Sequence, residues 1–409
     1  MKGENLFSAL CDVRDEYILE ATPKKRPSSA LRWCGLAACL ALLAGGLYAG
    51  LQAGVQTVPS PVSSGETADP SLPMLTIGST GSTAAMGYEG CLAYDISELA
   101  NANPWTEEAV LSTLPVFRNL QQTDETGSVN PFPREQMEQR LNEMAGRLEL
   151  ESYVITDDSP DENTRKAILE KEQQAGGSLP ESYFAPTCLR IQADGLTLET
   201  DNTLLTTLWL DPAWELSDGP LPHNASRTAC EKAAASLLEE YAFLLGMEQP
   251  VTDISGGDRN IYGEQSFSIG FYEGMGNLTD RILGYHFDRA AFYRDDDGKL
   301  FIIRRWQYDL SEKIGDYPII SAKEARELLL DGRYITTVPH EMPGEKYIAK
   351  VELVYRTDPD CMCFMPYYRF YVELPAMAVN GLKDYGAYYV PAVEETYISD
   401  MPLWDGSFN

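Results

Sequence analysis

Histidine, cysteine and clustered charge are the side chains here with the means to do chemistry, and their spacing decides which chemistry is open. The chain has three histidines, His223, His286 and His340. His340-Glu341-Met342 starts like a zinc-binding helix, but no second histidine follows four residues after the first. Asp295-Asp296-Asp297-Gly298 has the composition of a calcium loop. In that register, however, Tyr293 would stand at position one and Arg304 at the closing position, so a β-hairpin turn is expected instead. Cys361-Met-Cys363 lacks the two-residue spacer of a redox pair, and no second ligand pair lies nearby for zinc. The other cysteines, Cys11, Cys34, Cys39, Cys91, Cys188 and Cys230, are scattered and make no disulfide framework. No nucleophile elbow, phosphate loop or dinucleotide fingerprint occurs. The expectation is therefore no catalytic, metal or cofactor residue and no enzyme activity.

Two weaker constellations remain. Arg304-Arg305-Trp306 could offer a basic, aromatic sheet face to an acidic or C-terminal group, or could alternate between solvent and internal pairing. Tyr367, Tyr368, Tyr371, Tyr385, Tyr388 and Tyr389 read as core and sheet surface rather than as a ligand cage. The net charge of −30 argues against nucleic acid and anionic lipid as partners. Residues 1–55 hold six basic and five acidic side chains, so the acidic excess lies wholly beyond them.

The elements that must position these groups divide the chain at Trp33–Val55. This run has no charged residue and, at about 1.5 Å per residue, spans roughly 35 Å as a helix, enough to cross a bilayer. A transmembrane helix is expected over 33–55. Lys24-Lys25-Arg26 and Arg32 precede it, which keeps the N-terminus cytoplasmic and the rest extracytoplasmic. A cleaved signal peptide, or lipoprotein processing at Leu36-Ala37-Ala38-Cys39, is the rival reading. Gly46, Gly50 and Gly54 recur every fourth residue, a helix-association face that would support a homodimer. In the head, residues 1–32, Leu6, Leu10, Val13 and Tyr17 form one apolar stripe of a short amphipathic helix, a face for a cytoplasmic partner.

Residues 56–86 are rich in Pro, Ser, Thr and Gly and read as a linker. Beyond them the fold class expected is α+β, in about three units that each set a helix on an antiparallel sheet: 87–215, 222–315 and 316–409. Helices are expected to begin near residues 132, 226 and 321, with Ser226 as an N-cap and Ser321 with Glu324 as a capping box. Phe267, Ile269 and Phe271 alternate on one strand face, as do Val351, Leu353 and Tyr355 on a later one.

Two resemblances follow from particular stretches. Asp15-Glu16-Tyr17-Ile18-Leu19-Glu20-Ala21, the following Lys/Arg cluster and Leu36-Ala37-Ala38-Cys39-Leu40 resemble the N-termini of single-pass, membrane-bound anti-sigma-type proteins of Gram-positive bacteria. Further on, Ile319-Ile320-Ser321-Ala322-Lys323-Glu324-Ala325, Val351-Glu352-Leu353-Val354-Tyr355, Met365-Pro366-Tyr367-Tyr368-Arg369-Phe370 and Tyr388-Tyr389-Val390-Pro391-Ala392-Val393 resemble extracytoplasmic YycH/YycI-type regulators, and more loosely PepSY-like modules. That resemblance implies a regulatory domain that binds a protein or peptide without catalysis, with a sensor kinase or sigma factor as partner. An extracytoplasmic enzyme acting on cell-wall polymer or peptide is the competing expectation, and a structural or assembly role is a third.

Overall fold

Alternating apolar strands dominate the fold. In the computed structural model, residues 71–77, 89–122, 130–177, 179, 181–359 and 361–406 are described, all within one compact unit, Ala68–Asn409. The chain runs through β1 (Gly90–Ala93), β2 (Thr113–Arg118), α1 (Arg134–Arg147), β3 (Ile155–Asp157) and α2 (Glu162–Gln174). It continues with β4 (Cys188–Ala193), β5 (Leu196–Asp201), β6 (Thr206–Trp214), α3 (Arg227–Leu245), β7 (Pro250–Arg259) and β8 (Gln265–Glu273). Next come α4 (Leu278–Phe287), β9 (Asp288–Arg294), β10 (Leu300–Gln307), β11 (Lys313–Pro318) and α5 (Ala322–Leu330). The last strands are β12 (Ile335–Thr336), β13 (Ile348–Tyr355), β14 (Cys363–Phe364), β15 (Pro366–Glu373) and β16 (Lys383–Pro391).

An eight-stranded sheet has the order β3-β4-β5-β6-β10-β9-β8-β7. One face of it is covered by α1 and α3, which bury Met137, Leu141, Met144, Ala233, Leu237 and Leu244 against Leu198, Leu208, Phe267, Ile269 and Phe271. Each fully buried Leu or Phe is worth about 1.5–3 kcal/mol, so this shared apolar layer fixes the helices on the sheet. A second sheet has the order β1-β16-β15-β13, with β12 also paired to β16, and a small third sheet is β11-β2-β14.

This topology corrects the expected three helix-on-sheet units. Helices do start at Arg134, Arg227 and Ala322, near the anticipated positions. The strands after the first two helices nevertheless form one sheet, because β6 pairs with β10. Both strands bury apolar side chains (Leu208 and Leu210; Leu300, Ile302 and Ile303), and neither could stand as an exposed edge. From the N-terminal side, β1 pairs with β16 and β2 with β11 and β14, so early and late segments share sheets.

The expected transmembrane helix is corrected too: among the described residues no helix is long and apolar enough to cross a membrane. Residues 33–55, with Gly46, Gly50 and Gly54, lie outside the described residues, as do Leu6, Leu10, Val13 and Tyr17. Within the stretch read as a linker, Leu75 is buried. It accepts a hydrogen bond from the Ser399 amide at 2.9 Å and donates one to the Tyr397 carbonyl at 2.7 Å.

Candidate functional site

The second face of the eight-stranded sheet is where a site forms. On β8 the odd residues Phe267, Ile269 and Phe271 point into the helix-covered core, which leaves Ser268, Gly270 and Tyr272 for the other side. On β9, Ala290 and Phe292 point into that core and Arg289, Ala291 and Tyr293 away from it. These small and polar residues line a cavity of about 560 Å³. Opposite them stand β13, β15 and β16 of the second sheet, with Cys91 of β1 and with Tyr285 and His286 of α4 also on the wall.

The facing wall carries a cross-strand polar row. Glu352 on β13 lies directly opposite Arg369 on β15, which lies opposite Tyr389 on β16. Arg369 donates to Glu352 Oε2 through Nη2 at 2.5 Å and Nε at 3.2 Å. Lys350 Nζ reaches Glu352 Oε1 at 2.6 Å, and Asn101 Nδ2 donates to the same oxygen at 2.8 Å. The Arg369 guanidinium also lies over the Tyr371 ring, 5.1 Å from its centroid. Tyr389 donates its hydroxyl to Glu89 at 2.5 Å. Burial alone would raise the Glu352 carboxyl; Arg369 and Lys350 outweigh it and hold the group down at about 2.

His286 is placed by α4, whose start is fixed by a capping box between Asn277 and Asp280. Its Nε2 is buried and has no hydrogen-bond partner among the described residues. Burial, with Arg369 and Arg289 adding to it, pushes the imidazole down to about 3, so it is neutral at physiological pH. At Cys91, burial, then Asp258 and Glu89, push the thiol up to about 12. Cys361 and Cys363 are buried, and their thiols are pushed up to about 11 and about 12, chiefly by burial. Among the described residues no group of three or more His, Cys, Asp or Glu side chains gathers to hold a metal ion.

Strand alternation separates the Arg304-Arg305-Trp306 run. Arg305 turns into the protein, where it donates to the Leu245, Arg289 and Trp306 carbonyls and pairs with Asp288. Trp306 turns to the cavity, where Arg289 lies over its ring at 4.9 Å. The tyrosines divide in the same way. Tyr368 and Tyr388 are core, and Tyr389, itself packed in another core cluster, and Tyr371 on the sheet surface also line the cavity. His223 lies apart in an exposed turn, 3.7 Å from Asp296, and His340 contributes its carbonyl to the Tyr388 hydroxyl.

Sequence reasoning missed β7, α4 and the residues Asp253, His286, Arg289 and Glu352 as parts of one site. Asn277-Leu278-Thr279-Asp280 carried the capping signature of α4. Ser268 and Gly270, interleaved with the apolar face of β8, carried the floor. No family model matches the chain, and no curated protein matches it.

Proposed function

We propose that this chain is a non-catalytic binding module of a regulatory system, and that it takes a peptide or peptide-like ligand in the cavity between its two large sheets. One observation carries the reading: a cavity of about 560 Å³ has aromatic faces and charged groups converging on it, and burial keeps its Cys91 thiol protonated. That volume is in the range of small-ligand sites, commonly about 300–1,000 Å³. Backbone amides of a peptide would meet the serines and carbonyls of the floor, and side chains would meet Tyr272, Tyr293 and Tyr371. A module of this kind would act outside the cytoplasm and pass its occupancy to a signalling protein such as a sensor kinase or a sigma factor.

The test is titration of the full chain with the tripeptide Gly-Phe-Gly, read by calorimetry, with the peptide recovered for mass spectrometry. Binding with the peptide intact is the expected result. Absence of heat at millimolar peptide would overturn the peptide reading, and cleaved peptide would overturn the non-catalytic one in favour of a peptide-directed enzyme.

A further inference from the structure

The arginines of the cavity fall into two classes. Arg369 and Arg356 are each held by a carboxylate, Glu352 and Asp358. Arg289 is not: its guanidinium stacks on Trp306, and among the described residues it has neither an ion pair nor a side-chain hydrogen bond. Arg289 is thus an exposed cavity arginine that, among the described residues, no carboxylate occupies, and its guanidinium can receive an anion. Asp253 complements it. Its Oδ1 accepts from the Ala102 amide at 2.8 Å, and its second oxygen has no protein partner among the described residues.

Burial raises the Asp253 carboxyl above its ordinary range, the Ala102 amide and Arg289 pull it back only in part, and acid and base form no ion pair among the described residues. The strand register explains the gap. Asp253 on β7 lies opposite Gly270 on β8, which lies opposite Ala291 on β9, and Arg289 is two residues along the same face of β9. On the intervening strand β8, Gly270 lies opposite Asp253 and Tyr272 opposite Arg289, so acid and base stand two strands apart and offset by two residues along the sheet. At the cavity wall, the buried Nε2 of His286 is a third group without a partner among the described residues. A buried polar atom in that state is destabilising, and a ligand group that pairs with it would relieve this.

Resting on the peptide-binding reading above, we propose that the cavity selects a zwitterion, with the ligand carboxylate on Arg289 and its ammonium group on the free oxygen of Asp253. A free amino acid and a short peptide share this chemistry, and the test distinguishes them. The full chain is titrated with phenylalanine, with Gly-Phe-Gly, with Gly-Phe-Gly amide and with N-acetyl-Gly-Phe-Gly. Phenylalanine or the unblocked tripeptide should bind, and each blocked form should bind at least about tenfold more weakly than the unblocked tripeptide, as expected when one charged hydrogen-bonded contact is lost. If phenylalanine alone binds, its methyl ester and its N-acetyl derivative replace the blocked peptides in the same comparison.

Arg289→Gln should erase the preference for the acid over the amide or ester, and Asp253→Asn the preference for the amine over the acetylated form. Thermal melts of both variants would establish that they are folded. Blocked and unblocked forms binding within about twofold of each other would overturn the inference while leaving the peptide reading in place. So would an Arg289→Gln protein that binds and keeps its preference for the acid. Failure of every probe, phenylalanine included, would overturn both.

Discussion

Glu352 and Arg369 stand directly opposite each other across β13 and β15, and the carboxylate, only 3% exposed, takes two hydrogen bonds from the guanidinium. Lys350 and Asn101 complete the Glu352 shell on its other oxygen. A buried carboxylate with all its partners supplied is a registration device, because slipping the strands by one residue would send Glu352 to the apolar face occupied by Val351 and Leu353.

Removing one side of this pair leaves the other charged and buried. Glu352→Leu should destabilise the fold by about 3–5 kcal/mol, measured by urea unfolding, because Arg369 and Lys350 lose their acceptor. The double variant Glu352→Leu/Arg369→Met should recover much of that loss. Equal stability of the single variant and the native chain would show that the network adds nothing.

The same network predicts an acid limit. Glu352 titrates at 4.5 as a free side chain and at about 2 in the fold, so its contribution is complete above pH 4.5 and is lost as pH falls through that interval toward 2. His286 acts at higher pH with the same sign. Its folded value of about 3 lies below the ordinary 6.5, so stability is full above pH 6.5 and declines as the medium becomes more acid. Unfolding free energy measured between pH 6.5 and 4.5 should fall by up to about 1.4 kcal/mol per pH unit more in the native chain than in His286→Phe. Parallel pH profiles for the two proteins would contradict this.

How much of this was legible beforehand depended on the range of the interaction that specified each feature. Ser226 and the Ser321–Glu324 box are contacts within one helical turn, and they placed α3 and α5. The Asp297-Gly298 turn between β9 and β10 was equally local, with Gly298 at φ 78°. The pairing of β6 with β10, and of β1 with β16, brings together residues far apart in the chain, and no local pattern names the partner. The site suffers most from this. Asp253, Arg289 and Arg369 come from three strands of two sheets, and only the packing of one sheet face on the other brings them to one cavity.

Cys91 offers a check on the chemistry of that cavity. With its thiol pushed up to about 12 by burial and by neighbouring carboxylates, it should be almost wholly protonated at pH 8. Alkylation by iodoacetamide, followed at the level of the Cys91 peptide by mass spectrometry, should run at least about tenfold slower than for free cysteine, whose thiol titrates near 8.5. Labelling as fast as free cysteine would mean that a thiolate is available there and would revive a nucleophilic role.

Gly284 lies inside α4, where alanine is ordinarily better than glycine by about 1 kcal/mol. Here the order should reverse. A β-carbon at position 284 would collide with the Glu273 carbonyl oxygen at the end of β8, and a backbone atom cannot swing aside as a flexible side chain can. Helix and strand would have to separate, so Gly284→Ala should cost about 1–3 kcal/mol in urea unfolding, the usual range for overpacking. Because α4 also carries Tyr285 and His286 to the cavity wall, the same substitution should weaken any ligand of the site. A gain in stability of about 1 kcal/mol, the ordinary helix effect, would mean that α4 is not seated on β8 as closely as the carbonyl contact requires.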